Sequence, residues 1–161
     1  MAGLKRIIIH WTAGGPMASA LDKAHYHFLI QQDLTVIDGA LPPEANAGIT
    51  PGKPYAAHTL NCNSGSIGVS LCGMAGAIEA PFNPGVHPLK WGQIEKLASL
   101  LTDLRKRYGI LIDRKTILSH AEVQPTLGIK QRGKWDIAWL PDMTKPGDPV
   151  AVGDRIRAMV K

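Results

Sequence analysis

Six histidines stand in this 161-residue chain, and imidazole is the side chain best suited to proton transfer and metal ligation near neutral pH. A hydrolytic zinc centre takes three protein ligands from His, Asp, Glu or Cys and leaves one position for water. With so many candidates, position has to sort them. His10 closes the run Ile7-Ile8-Ile9, and His120 closes the stretch 116–119. Strand ends place side chains on a rigid frame beside loops, the setting in which a metal site can be held with precision. Cys62 and Cys72 are too few for a disulfide framework or a cysteine-based zinc finger, and read as two reduced thiols.

The elements that must position these groups follow from the pattern. Residues 5–10 form a buried strand, because three consecutive isoleucines are β-branched and suit a pleated sheet. Residues 12–16 are a loop of small residues, and residues 19–24 a helical turn with Ser19 as its N-cap. Residues 26–31 and 34–37 pair as a hairpin turning near Gln32 and Asp33. Residues 39–65 carry Pro42, Pro43, Pro51 and Pro54 among Gly, Asn and Ser and read as one long loop; loops beyond about 15 residues in a compact domain are usually functional or mobile. In residues 66–72, Ile67, Val69 and Leu71 alternate with Gly68 and Ser70, which predicts a strand. Ile94, Leu97, Leu101, Leu104 and Tyr108 recur at three- and four-residue spacing and predict a helix over 89–108, stopped by Gly109. Residues 116–119 form a short strand into His120, residues 121–136 a loop, and residues 149–161 hold a last helix. Strands and helices are mixed, without repeat or linker. The expected architecture is α/β (mixed α+β), a central mixed β-sheet flanked by helices in a single domain over 1–161.

Composition narrows the functional classes. With 45% hydrophobic and 19% charged residues, the chain is globular and not disordered. A domain of this length buries about two thirds of its unfolded-chain surface, so no disulfide scaffold is needed. A net charge of +5 favours anionic partners such as nucleic acid, membrane or wall polymer. The nearest thing to a basic run, Arg105-Lys106-Arg107, lies in the helical stretch and reads as a solvated face, which gives no specific nucleic-acid site. The start MAGLKRIIIH lacks the apolar core of a signal peptide, and no apolar run reaches the ~18 residues of a membrane span. Synthesis in the cytoplasm as a soluble, monomeric protein is expected.

Five segments occur in order: "IIIHWTA" at 7–13, "YHFLIQQDLTVIDG" at 26–39, "NSGSIGVSLCG" at 63–73, "LSHAEV" at 118–123 and "GKWD" at 133–136. Together they resemble the zinc amidase family that includes phage lysozyme-like amidases, bacterial wall-recycling amidases and animal peptidoglycan recognition proteins. The resemblance implies a peptidoglycan substrate, Zn²⁺ as cofactor, and hydrolysis of the amide between N-acetylmuramic acid and L-alanine. It makes His10 and His120 metal ligands and, through Lys134-Trp135-Asp136, Asp136 the third. Two neutral imidazoles and one carboxylate leave the zinc with net positive charge, enough to acidify a water. Lys134, two residues before Asp136, is expected to stabilise the oxyanion. Tyr26 matches the family tyrosine and is expected to orient the attacking water. His58 matches a cleft-lining histidine and is expected to contact substrate. His25 and His27 are expected to be structural or exposed, and Trp135 and Trp139 to pack the core.

Position 70 separates branches of that family. Wall-recycling members carry a catalytic glutamate there, and this chain has Ser70, whose hydroxyl cannot do a carboxylate's proton transfer at neutral pH. Ser70 resembles the phage and animal branch, while an Asp ligand in place of Cys resembles the recycling branch. A phage or prophage endolysin released through a holin is the expected setting, ahead of a recycling enzyme or a delivered effector. The alternative class is a non-catalytic peptidoglycan-binding or RNA-polymerase-binding regulatory protein of the same fold. The complete candidate triad argues against a binder that has lost its ligands.

Overall fold

The computed structural model describes residues 3–161. Met1 and Ala2, the start of the segment read above for a leader, lie outside the described residues. Three parallel strands form one side of the sheet: β1 (Arg6–Trp11) lies between β4 (Ser66–Leu71) and the edge strand β5 (Ile117–Ser119). Beyond β4 come β2 (Phe28–Ile30), parallel to it, and β3 (Val36–Asp38), antiparallel to β2. The order is β3-β2-β4-β1-β5, a mixed sheet as expected.

Side-chain alternation decides what each face of the sheet carries. Ile7, Ile9 and Trp11 of β1 join Ile67, Val69 and Leu71 of β4 in the main core, together with Ile94, Leu97, Leu101 and Leu104. Those last four belong to α2 (Trp91–Tyr108), which ends at Gly109 in the left-handed conformation, as its sequence predicts. The opposite face carries Ile8, which packs with Leu118, Val123 and Cys62 in a small second core. His10 shares this second face with Ile8 by the same alternation. On β4 the residues of that face are Ser66, Gly68 and Ser70, so the sheet has a trench of small residues there.

The remaining helices are α1 (Ala20–His25), α3 (His120–Leu127) and α4 (Pro149–Arg157). Ser19 caps α1 as expected, accepting from the Asp22 amide at 3.1 Å. The loop expected over 121–136 is corrected: its first part is α3, and His120 is that helix's first residue as well as the residue after β5. Pro125, the sixth residue of α3, obscures the helical pattern because it lacks the N–H that would donate back along the helix. The start signal was present, since the Glu122 carboxylate accepts from the Ser119 amide at 2.8 Å. The expected long loop 39–65 contains one 3₁₀ turn, Pro43–Asn46. Tyr26 ends α1, and the hairpin strand begins at Phe28. Among the described residues no helix is long and apolar enough to cross a membrane.

Candidate metal centre and cleft

β1 and β5 run side by side and in parallel, with Ile9 opposite Ser119. Each therefore delivers its next residue, His10 or His120, to the same edge. This is the carboxyl edge of parallel strands, where open α/β sheets hold their ligands. Asp136 arrives from the chain beyond α3, and its carbonyl accepts from the Ala121 amide at 2.6 Å, which pins that segment to the start of α3.

The three side chains converge. His10 Nδ1 and His120 Nδ1 are 3.1 Å apart. The Asp136 carboxylate lies 3.2 Å from His10 Nδ1 through one oxygen and 3.4 Å from His120 Nδ1 through the other. His10, His120 and Asp136 are 1%, 6% and 7% exposed, so the cluster is buried and offers three donors within 4.8 Å of one another to a metal ion. Burial first of all lowers His10 to about 4, with His120 adding to the drop and Asp136 opposing it. Burial pushes the Asp136 carboxyl up, but the two imidazoles packed against it outweigh that and hold it below its ordinary value. At neutral pH the cluster is thus a carboxylate and a neutral His10 ring, a set ready to bind a cation without first losing a proton.

Each imidazole is also held from behind. His10 Nε2 lies 3.2 Å from His58 Nδ1, and His120 Nε2 lies 2.8 Å from Gln131 Oε1. His58, expected as a substrate contact, does line the cleft, but it is buried and its other nitrogen faces the Ser66 carbonyl at 3.3 Å. Gln131 has no sequence signature: an isolated glutamine on a loop carries no spacing signal that would single it out.

The centre forms the floor of an open cleft of about 1090 Å³. One wall comes from the long loop through Tyr55, Leu60 and Asn61, the other from Arg132, Lys134 and Trp135. Lys134 is exposed and forms no ion pair among the described residues, and neither does Arg132, which adopts φ 57°. Tyr26 places its ring centroid 5.1 Å from that of His10. Burial above all raises its phenol far beyond the ordinary value, the Asp136 charge adds to this, and the nearby Ser70 hydroxyl offsets a small part. Ser70 sits opposite His10 across the β1–β4 pair, buried and without a well-formed hydrogen bond. Trp135 crosses Trp11 edge-on at 4.6 Å, and Trp139 is buried, so both pack the core as expected, Trp135 also facing the cleft. His27 is structural: Asn46 and the Gly68 amide take its two nitrogens. Cys62 and Cys72 are free, buried thiols.

At its carboxyl edge the mixed sheet thus gathers two imidazoles and a carboxylate that could hold a metal ion. Residues 2–147 match the sequence model of the N-acetylmuramoyl-L-alanine amidase family, and the chain belongs to that family. No curated protein matches it. Among solved structures it is similar to the hydrolase AmiA of Staphylococcus aureus, solved with its ligand, at 13% identity and a TM-score of 0.58, covering 98% of this chain and 73% of that one. An AmpD derivative shares 16% identity at a TM-score of 0.54, covering 99% and 86%. Drosophila peptidoglycan recognition protein SD shares 19% identity at 0.52, covering 93% and 86%.

Proposed function

We propose that this protein is a zinc-dependent N-acetylmuramoyl-L-alanine amidase, with His10, His120 and Asp136 as ligands. The observation that carries the reading is the convergence of both Nδ1 atoms and the carboxylate on one point. Ligands about 2.0–2.2 Å from a tetrahedral zinc stand roughly 3.3–3.6 Å from one another; the separations here are 3.4 Å, inside that range, and 3.2 and 3.1 Å, just short of it. The donor set fits zinc before any ion enters. Zn²⁺ bound there would supply Lewis acidity toward the amide carbonyl and lower the pKa of the attacking water.

The chain's own groups divide the remaining work. Lys134, on the open rim, can bring its ammonium to the carbonyl oxygen as negative charge develops. Tyr26 remains a phenol at neutral pH and can donate a hydrogen bond to the water or to the tetrahedral oxygen. Ser70 cannot transfer a proton as a carboxylate would, which leaves Tyr26 and Lys134 as the cleft-lining groups that can give one to the departing L-alanine amine. His58, a cleft-lining side chain only 8% exposed, offers substrate a small contact. A net charge of +5 suits an anionic wall polymer, and a phage or prophage lysin acting on the host wall is part of the same proposal.

Mass spectrometry of muropeptides after digestion, with and without a chelator, tests the reading. New L-alanine amino termini that vanish on chelation and return with Zn²⁺ are expected. New reducing ends in their place would mark a glycosidase and end it. Lysis of outer-membrane-permeabilised cells by added protein tests the lytic setting.

A further inference from the structure

Both imidazoles lean on the same piece of chain, residues 58–66. His10 Nε2 meets His58 Nδ1 at 3.2 Å, and His58 Nε2 meets the Ser66 carbonyl at 3.3 Å. His120 Nε2 meets Gln131 Oε1 at 2.8 Å, and the Gln131 amide nitrogen donates to the Leu60 carbonyl at 2.9 Å. A carbonyl oxygen can only accept, so each chain of bonds has a fixed direction. The Ser66 carbonyl requires a proton on His58 Nε2. His58 Nδ1 then accepts from His10 Nε2–H, and the His10 lone pair is left on Nδ1. The Leu60 carbonyl requires the Gln131 nitrogen, so Gln131 Oε1 faces His120 and takes its Nε2–H. Again the lone pair is left on Nδ1. Both lone pairs therefore face Asp136 because of two backbone carbonyls in one loop.

The segment is built for the task. Asn63 Oδ1 accepts from the His58 and Thr59 amides, both at 2.9 Å, and folds the loop back on itself. The Thr59 hydroxyl lies 2.8 Å from His58 Nδ1 and 3.4 Å from His10 Nε2, placed to bridge the same link. Gly68 gives His58 its seat: a Cβ there would stand 2.6 Å from the ring. The same segment presents Leu60, 43% exposed, and Asn61 to the cleft.

We propose that residues 58–66 form a clasp that sets the tautomer of both imidazole ligands, through His58 for His10 and through Gln131 for His120, so that zinc binding and the order of this cleft wall are coupled. The proposal rests on the zinc reading above. His58 and Gln131 act through the ligands and are positioning residues. Because coupling between two binding events is reciprocal, a ligand that contacts the 60–61 wall and orders it also tightens zinc.

The test is zinc affinity, measured by competition with a chromogenic chelator, for the parent, His58→Ala, His58→Gln, Gln131→Leu and Asp136→Ala. His58→Ala and Gln131→Leu should each weaken zinc about 10- to 100-fold, the usual effect of losing an outer-shell partner. His58→Gln, whose amide can accept from His10 and donate to Ser66, should recover most of that loss, which a merely structural role for the histidine would not allow. Amide hydrogen exchange at 58–63 should slow on zinc addition in the parent and much less in Gln131→Leu. If the parent takes up zinc and both His58→Ala and Gln131→Leu bind it within twofold of the parent, the clasp is overturned and the metal centre stands. If the parent takes up no zinc, the metal reading itself fails and the clasp with it.

Discussion

His10, His120 and Asp136 are at most 7% exposed, and the Nε2 of each ring is held by a neighbour. Lys134 and Arg132, two and four residues before Asp136, are exposed and unpaired among the described residues. The contrast separates two demands on one short segment. A metal ligand must be in place before the ion arrives, and fixing it beforehand lowers the cost of binding. A group that answers charge developing in the transition state gains nothing from being neutralised in the resting protein, since an ion pair with a neighbouring carboxylate would compete with the oxyanion. The floor is therefore held in place beforehand, and the rim is open.

The contrast breaks most visibly at the floor. Asp136→Ala should lose stoichiometric zinc and fall to the activity of chelated parent, because it removes the only carboxylate among the three donors. Metal analysis and muropeptide release measure both outcomes together. At the rim, Lys134→Ala should retain parental zinc while kcat falls about 10²- to 10³-fold with little change in KM, the pattern of an interaction made only in the transition state. Zinc loss in Lys134→Ala equal to that in Asp136→Ala would erase the distinction between floor and rim.

The two regions were also legible to different degrees. His10 and His120 could be singled out because each follows a strand, where local pattern and rigid placement coincide, while Asp136, on a loop, came only from the resemblance carried by Lys134-Trp135-Asp136. Ile7 to Ile9 and the alternation from Ile67 to Leu71 are strong strand signals, and the structure has both strands. What supports the ligands was not legible. Gln131 reaches His120 only because α3, hidden by Pro125, turns the chain back on itself. The link from His58 to His10 spans 48 residues and depends on Gly68 lacking a side chain. Such contacts are products of tertiary packing and leave no period in the sequence.

Tyr26 lies between the two regions, half-buried, with its ring near His10 and its face to the cleft. Tyr26→Phe keeps the ring and removes one donor. Losing one hydrogen bond to a charged group costs about 1.5–3 kcal/mol, so kcat should fall roughly 10- to 100-fold while zinc affinity holds. A drop as deep as that of Lys134→Ala would move Tyr26 into the role assigned to the lysine, and no drop would leave it a packing residue.

The smallest effect tests the supporting layer behind the floor, where His27 is buried as a neutral ring. The Gly68 amide donates to its Nδ1 at 2.9 Å, and its Nε2–H donates to Asn46 at 3.1 Å. A second proton would desolvate a charge and set N–H against N–H, and burial, the larger cause, lowers the ring to about 4. In the unfolded chain the same ring titrates near 6.5. Between these values the unfolded state binds the extra proton, so stability must fall as pH drops from about 6.5 to about 4 and must be flat above. One such group contributes a slope of about 1.4 kcal/mol per pH unit and on the order of 3 kcal/mol in total. His10 and His58, also lowered by burial, add to the slope in metal-free protein. His27→Gln lowers the stability at every pH by disturbing two hydrogen bonds, so the level is uninformative and the slope is the readout. Urea unfolding of the chelated parent and of His27→Gln, at steps from pH 7 to pH 4, should give a slope shallower by one proton in the variant, with muropeptide release at neutral pH largely kept. An unchanged slope would mean that His27 takes up its proton in the folded state as readily as in the unfolded one, and that the layer behind the metal ligands is not the dry, fixed support its hydrogen bonds describe.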